Sequence, residues 1–289
     1  MPALLAILAL ALSAVPAAAA AQDRAEAARL DPIDVAFSRM YDYDFAGAHA
    51  ALDAQAAVEP GDPLIYSTRA AAYLFAELGR LKILESEFFM HDENLVDDRK
   101  LQPDPAVRQK FLDAVAAARQ RAATRLAAVP DDRNALFAMA MSACVVADYT
   151  GLVERRQWRF LTLSKETKRY VDKLLALNPP VYDAYYNVGI LEYVVGSLPF
   201  FVRWFVPLDT VEGNKRKGID ALKIVARQGR YYAPFARVLL AVVSLREGKL
   251  ADAQAILDGL AREYPHNALF AKELARLNDR IRADGTRRK

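Results

Sequence analysis

The chain has 289 residues, of which 54% are hydrophobic and 26% are charged, a composition that excludes a disordered protein. Its net charge of +3, with no Lys/Arg-rich stripe inside the sequence, argues against a nucleic-acid partner, because such partners require a basic patch. With only 12 Gly and abundant Ala, Leu, Arg and Glu, the sequence predicts an all-α protein.

Residues 1–21 predict an export signal that is not part of the fold. An apolar stretch from Leu4 to Val15 is followed by Ala19-Ala20-Ala21, a small-residue cleavage site before Gln22. The stretch is too short for a membrane span, which needs about 20 apolar residues. Because no cysteine lies at the predicted cleavage site, we expect no lipoprotein anchor, and the sequence predicts a periplasmic or secreted protein. An uncleaved N-terminal anchor helix is the alternative.

Residues 22–283 predict one domain of helix pairs, followed by a basic tail at 284–289. Proline ends a helix because it lacks the N–H that would continue the turn. Four amphipathic segments end in this way, at Pro60, Pro130, Pro179 and Pro265. Because these prolines are not evenly spaced at the length of a helix-pair repeat, about 34 residues, we expect insertions. They are predicted at about 78–105, 149–159 and 196–217.

The predicted helices follow one another in chain order, mostly as pairs. The first unit has only a second helix, which starts near Asp44 and ends before Pro60. The second unit pairs Leu64–Ala76 with Val115–Pro130, and the third pairs Asn134–Ala147 with Phe160–Pro179. The fourth unit starts at Tyr182, and the fifth spans Pro234–Asn267. A single amphipathic helix, Ala268–Ala283, is predicted to cap the array. Stacked pairs of this kind bury faces that no pair can bury alone.

The fifth unit runs without insertion and resembles the tetratricopeptide repeat (TPR). It has apolar residues at helical spacing, a turn at Gly248-Lys249 and an exit proline at Pro265. This resemblance implies a TPR-like α-solenoid, a right-handed superhelical array of antiparallel helix pairs with helical insertions. It also implies a non-catalytic scaffold or adaptor, here in the bacterial cell envelope, that binds a protein or peptide partner in a concave groove.

The stretch from Tyr182 to Asn267 also resembles the tetratricopeptide-repeat 39 family and its exported bacterial relatives. The matching residues are Gly189, Ser197, Pro199, Gly213, Gly218, Ile219 and Leu222. The chain departs from that pattern at Asn214 and Lys215, where Asp-Arg is usual. We expect Gly189 to let the second helix of its unit approach closely.

The groove that the TPR resemblance implies is lined by the first helix of each pair. By helical position, the candidate contacts are Ser67, Thr68 and Ala71, then Asn134, Phe137 and Met141, then Asp183, Tyr186, Asn187 and Tyr193, and last Val238, Val242 and Arg246. Ordinary packing between helices is the alternative role for these side chains.

The third insertion contains an apolar run, Leu198–Leu208, with Ser197 as a candidate helix N-cap before it. Its large side chains are Phe200, Phe201, Trp204 and Phe205. The run is too short to span a bilayer. It either extends the core or presents an apolar ridge, and the ridge would make the chain a peripheral membrane-docking protein.

The remaining reactive side chains do not form a predicted catalytic or metal site. Three histidines are scattered at His49, His91 and His266, and the acids around His91 are typical of a solvated loop. The single cysteine, Cys144, lies in the apolar run Met139–Ala147, which predicts a buried thiol. We therefore predict neither a cofactor nor a metal, and no enzymatic activity.

Overall fold

The computed structural model describes residues 31–85, 101–197 and 213–287. Within these ranges 81% of the residues are helical and none is in a strand, which confirms the predicted all-α class. The predicted export signal, the loop around His91 and the four aromatic residues of the apolar insertion lie outside the described residues.

Eleven α-helices make up the described part of the chain. They are α1 (Pro32–Tyr41), α2 (Phe45–Val58), α3 (Pro63–Arg80), α4 (Pro105–Ala128), α5 (Arg133–Asp148), α6 (Gln157–Ala176), α7 (Tyr185–Ser197), α8 (Lys215–Gln228), α9 (Ala233–Arg246), α10 (Leu250–Glu263) and α11 (Ala268–Arg287). A π-helical turn, Tyr149–Val153, extends α5, and a 3₁₀ turn, Tyr182–Ala184, precedes α7.

Three helices begin with the same dipeptide, an N-capping aspartate followed by proline at the first helical position. The carboxylates of Asp31, Asp62 and Asp104 accept hydrogen bonds from backbone amides two residues on, at 2.9, 3.0 and 2.8 Å. Proline fits the first turn, where its missing N–H has no partner to lose, and aspartate satisfies an amide that the helix leaves unpaired. This signal places α1 and the early start of α4, both of which the apolar spacing alone missed.

Consecutive helices pack against each other, α1 on α2, α3 on α4, α5 on α6, α7 on α8 and α9 on α10, with α11 against α10. This arrangement is compatible with an α-solenoid. The predicted unit at 234–267 is confirmed as α9 and α10, joined by a turn in which Gly248 has a positive φ of 72°. Ser197 is not a helix N-cap, because it is the last residue of α7 and its hydroxyl donates to the Tyr193 carbonyl at 2.7 Å.

Helices α7 and α8 cross at Gly189 and Gly218, which face each other. This is the close approach that the sequence predicts at Gly189. A Cβ built on Gly189 would lie 2.7 Å from Cγ of Leu222, and one built on Gly218 would lie 2.6 Å from the backbone nitrogen of Tyr193. The Cβ on Gly218 would meet backbone atoms, which cannot move aside as a flexible side chain can. Just before α8, Asn214 accepts from the Lys217 amide at 3.1 Å, so this departure from the family pattern still caps the helix.

Replacing Gly218 with alanine should therefore push the two helices apart. We expect a loss of about 1–3 kcal/mol in the free energy of unfolding, the usual cost of overpacking. The matched control is Gly259→Ala in α10, where an added Cβ meets nothing within 4 Å. There the higher helix propensity of alanine should raise the free energy of unfolding by about 0.5–1 kcal/mol. Urea unfolding followed by circular dichroism measures both, and an equal effect of the two changes would contradict the close crossing.

The first helix also contacts the far end of the array. The Tyr41 hydroxyl donates to the Tyr231 carbonyl at 2.9 Å, across 190 residues of sequence. The Asn267 side chain donates to the Tyr41 carbonyl at 2.7 Å, and Arg230 pairs with Asp31 at 2.6 Å and Asp34 at 2.8 Å. These contacts join both halves of the chain around a central space.

Candidate functional site

A cavity of about 140 Å³ lies in this central space, and we call it the central cavity. The first helices of all five pairs, α1, α3, α5, α7 and α9, contribute to its wall, with single contributions from α2 and α10 and three from α11. Among its apolar residues are Phe37, Met40, Phe75, Val145, Phe235 and Phe270. The cavity is therefore lined mainly by the first helices of the pairs, together with α11.

Helix α9 supplies the largest share of that wall. Its residues Phe235, Val238, Leu239, Val242 and Leu245 all line the cavity, and they recur at the three- and four-residue spacing that puts side chains on one helical face. The sequence therefore builds a continuous apolar surface along one side of the cavity.

Asp148 introduces a carboxyl group into this apolar wall. The Cys144 thiol, one helical turn earlier in α5, donates to it with 3.6 Å between Sγ and Oδ2. Burial raises the pKa of Asp148 to about 6, and it raises the pKa of Cys144 well above the ordinary thiol value. Among the described residues no Lys, Arg or His forms an ion pair with Asp148. The carboxyl therefore lacks a countercharge in the described part of the chain.

Two other polar side chains on the wall of the central cavity, Glu273 and Asn267, have strong partners. Glu273 pairs with Arg276 at 3.3 Å. The Asn267 side chain donates to the Tyr41 carbonyl at 2.7 Å and accepts from the Leu269 amide at 3.0 Å. Asp148 differs from these two side chains, because its partner is a weak thiol donor.

Aromatic rings stand beside Asp148 on the same wall. The ring centroids of Tyr186 and Tyr232 are 5.2 Å apart, and those of Tyr186 and Phe235 are also 5.2 Å apart. Phe75 meets Phe235 edge-on at 5.0 Å. Burial raises the pKa of both tyrosines well above the ordinary value, so their hydroxyls stay neutral. The wall around Asp148 therefore combines a carboxyl that lacks a countercharge with several ring faces.

The loop that carries Tyr231 and Tyr232 is held in place by Asp183. Its carboxylate accepts from the backbone amides of Arg230, Tyr231 and Tyr232 at 2.9, 2.8 and 2.7 Å. Burial nevertheless raises the pKa of Asp183, because desolvation outweighs these three hydrogen bonds. Asp183 is therefore built into the fold beside the cavity.

The structure places only some of the predicted groove residues on the cavity wall. Ala71, Tyr186, Val238 and Val242 line it. The others are distributed elsewhere: Ser67, Thr68, Phe137, Met141, Asp183 and Tyr193 are buried within the fold, Asn187 and Arg246 are half-buried, and Asn134 is exposed. The Ser67 hydroxyl donates to the Leu64 carbonyl at 3.2 Å, and the Phe137 ring stacks on Tyr231 at 5.5 Å, so both serve packing.

Sequence reasoning missed Asp148 as a site residue, although a signal for it exists. It is the one charged residue between Arg133 and Glu154. An acid isolated in so long an apolar segment either ends the helix or faces a special environment. Here it follows Cys144 by four residues, which places both groups on one helical face.

The stretch Arg133–Val153 is long and apolar enough to cross a membrane by length and composition. Most of it is buried by the surrounding helices, which matches a core helix. Within the described ranges, no cluster of three or more His, Cys, Asp or Glu side chains is arranged to hold a metal ion.

Comparisons with known proteins supply no family for this arrangement. No family model, curated protein or solved structure matches the chain.

Proposed function

We propose that this protein is a non-catalytic binding protein, a TPR-like scaffold that holds a protein or peptide partner by one anchor side chain in the central cavity. The observation that carries the proposal is the wall of that cavity, which draws on the first helices of all five pairs. A right-handed TPR superhelix places its first helices on the concave, partner-binding side. The export signal expected at 1–21 would place this scaffold in the bacterial cell envelope.

The size of the central cavity limits what it accepts. An engineered apolar cavity of about 150 Å³ is known to bind benzene, so about 140 Å³ suits one ring or one short alkyl chain. A whole helix or lipid does not fit in that volume. The partner therefore contributes one anchor side chain, in the manner of an interface hot spot that fills a pocket.

The chemistry of the wall favours binding over catalysis. Cys144 is the only cysteine, and its raised pKa keeps it a neutral thiol, which is a poor nucleophile. Asp148 accepts from that thiol and is not arranged to activate it for attack, because a carboxylate beside a thiol disfavours the thiolate.

A cavity-filling substitution tests this proposal. Ala71→Leu adds volume at the cavity wall, whereas Ala54→Leu makes the same chemical change at an exposed position of α2. Each variant and the parent protein serve as bait in an envelope extract, and captured proteins are quantified by mass spectrometry. We expect at least one partner to be retained by the parent and by Ala54→Leu, and lost by about tenfold or more with Ala71→Leu, because its anchor no longer fits.

Helical circular dichroism and a urea midpoint for both variants establish that they fold. Equal capture by all three proteins, with both variants folded, would overturn the role of the central cavity.

A further inference from the structure

The central cavity combines three features that together specify a ligand. An apolar surface runs along α9, a carboxyl without a countercharge projects from α5, and the rings of Tyr186 and Tyr232 lie beside it. We infer that the anchor group is a primary alkylammonium, supplied by a lysine side chain of the partner, whose nitrogen pairs with Asp148. This inference rests on the proposed function and names the chemistry of its anchor.

The carboxyl group of Asp148 favours a cationic ligand. Buried carboxylates in proteins are paired with a cation or with several strong donors, since an isolated charge in an apolar environment is unfavourable. Asp148 has one weak donor, the Cys144 thiol at 3.6 Å, whereas Asp183 has three amides and Glu273 has Arg276. A ligand cation would give Asp148 the partner that the described residues do not.

The aromatic rings on the same wall also favour a cation. An ammonium group is attracted to the face of a tyrosine or phenylalanine ring within about 6 Å of its centroid. Tyr186 contacts both Tyr232 and Phe235 on the wall that also holds Asp148. Their hydroxyls stay neutral, so they add no competing charge. Rings and carboxylate thus favour the same kind of group, a compact cation.

The volume and the apolar surface of the cavity favour an alkyl chain that carries this cation. A lysine side chain is four methylenes that end in an ammonium, and it fits a volume of about 140 Å³. Long cationic side chains bury their methylene stems along apolar surface while the charged end finds a polar partner. The α9 face, with Val238 and Val242, supplies that apolar surface. A neutral chain of equal length would fill the same space and leave Asp148 unpaired.

Titration calorimetry of the full chain at pH 7.5 tests the inference with three small probes of one shape. These are pentylamine, which is cationic, pentan-1-ol, which is neutral, and pentanoate, which is anionic. We expect pentylamine to bind on the order of tenfold tighter than pentan-1-ol, the usual scale for a close buried charge pair, and pentanoate to bind most weakly. Asp148→Asn should abolish the preference for pentylamine, whereas Asp220→Asn at an exposed position of α8 should retain it.

A pair of capped pentapeptides with a central lysine or norleucine identifies the source of the cation. Tighter binding of the lysine peptide supports the inference in full. Binding of pentylamine without a preference for the lysine peptide would overturn the lysine source. Equal or tighter binding of pentan-1-ol would overturn the ammonium anchor and leave the apolar cavity intact. If no probe or peptide binds, the proposed function itself fails.

Discussion

Replacing Asp183 with alanine should lower the free energy of unfolding by about 3–5 kcal/mol, because it leaves one buried and two partly buried backbone amides without acceptors. Each buried donor that loses its partner costs about 1–3 kcal/mol. The amides belong to Arg230, Tyr231 and Tyr232, and their hydrogen bonds to the Asp183 carboxylate are 2.7–2.9 Å long. Urea unfolding monitored by circular dichroism measures the loss.

A graded series separates this effect from a general loss of charge. Asp183→Asn keeps one carbonyl oxygen and replaces the other with a donor, so we expect an intermediate loss. Asp220→Ala removes a carboxylate that is 60% exposed and 3.7 Å from Lys223, and should change stability by less than about 0.5 kcal/mol. If alanine at 183 were as harmless as alanine at 220, the amides would not depend on the carboxylate.

The same substitution should also loosen the contact between the two ends of the array. The Tyr231 carbonyl accepts the Tyr41 hydroxyl, and Arg230 pairs with Asp34 at 2.8 Å. Both residues owe their position to the loop that Asp183 holds. Since Tyr41 and Tyr232 both line the central cavity, the Asp183 carboxylate positions part of its wall.

The helices could be predicted because their signals are local. Periodic apolar residues give the helix, and proline gives its end or, after aspartate, its start. The unit at α9 and α10 shows this, since its two helices, its glycine turn and Pro265 all lie within one short stretch. The close crossing at Gly189 could be predicted for the same reason, because its partner Gly218 lies in the next helix.

The closure of the array could not be predicted from these signals. The Asn267–Tyr41 and Tyr41–Tyr231 hydrogen bonds join residues 226 and 190 positions apart. Nothing in the local pattern around Tyr41 specifies so distant a partner. The central cavity depends on this closure, so the cavity could not be predicted from the local sequence pattern either.

Which of the predicted groove residues line the cavity could not be predicted, for a different reason. A first helix in the middle of the array is covered on several sides, and α3 has eleven buried residues among its eighteen. Periodicity identifies buried faces but does not say which face meets the neighbouring helices and which meets the cavity. Ala71 faces the cavity, whereas Ser67 and Thr68, one turn earlier, are fully buried.

Asp148→Asn should stabilise the protein at pH 7.5 by about 3 kcal/mol, whereas most single substitutions destabilise a protein. The pKa of Asp148 is about 6 in the folded chain and 3.8 in an unperturbed carboxyl. The folded state therefore binds this proton more tightly than the unfolded state, and stability falls as the pH rises from about 4 to about 6. A difference of about two pKa units corresponds to about 3 kcal/mol, and asparagine does not ionise.

The pH dependence is the distinguishing measurement. The gain of Asp148→Asn over the parent should be close to zero at pH 4 and reach its full size above pH 7, because the parent carboxyl is protonated only at low pH. Tyr41, Cys144, Tyr186 and Tyr232, which interact electrostatically with one another or with Asp148, do not titrate in this range, since burial raises the pKa of each. Asp220→Asn should show no such rise.

A destabilised protein at pH 7.5, or a gain that does not change with pH, would contradict an isolated carboxylate at position 148. The expected result bears directly on the role of the residue. A group that weakens the free protein at neutral pH does not serve folding, and a bound cation would offset that cost. The stability of the variant and its loss of alkylammonium preference should therefore appear together, as two consequences of one unpaired charge.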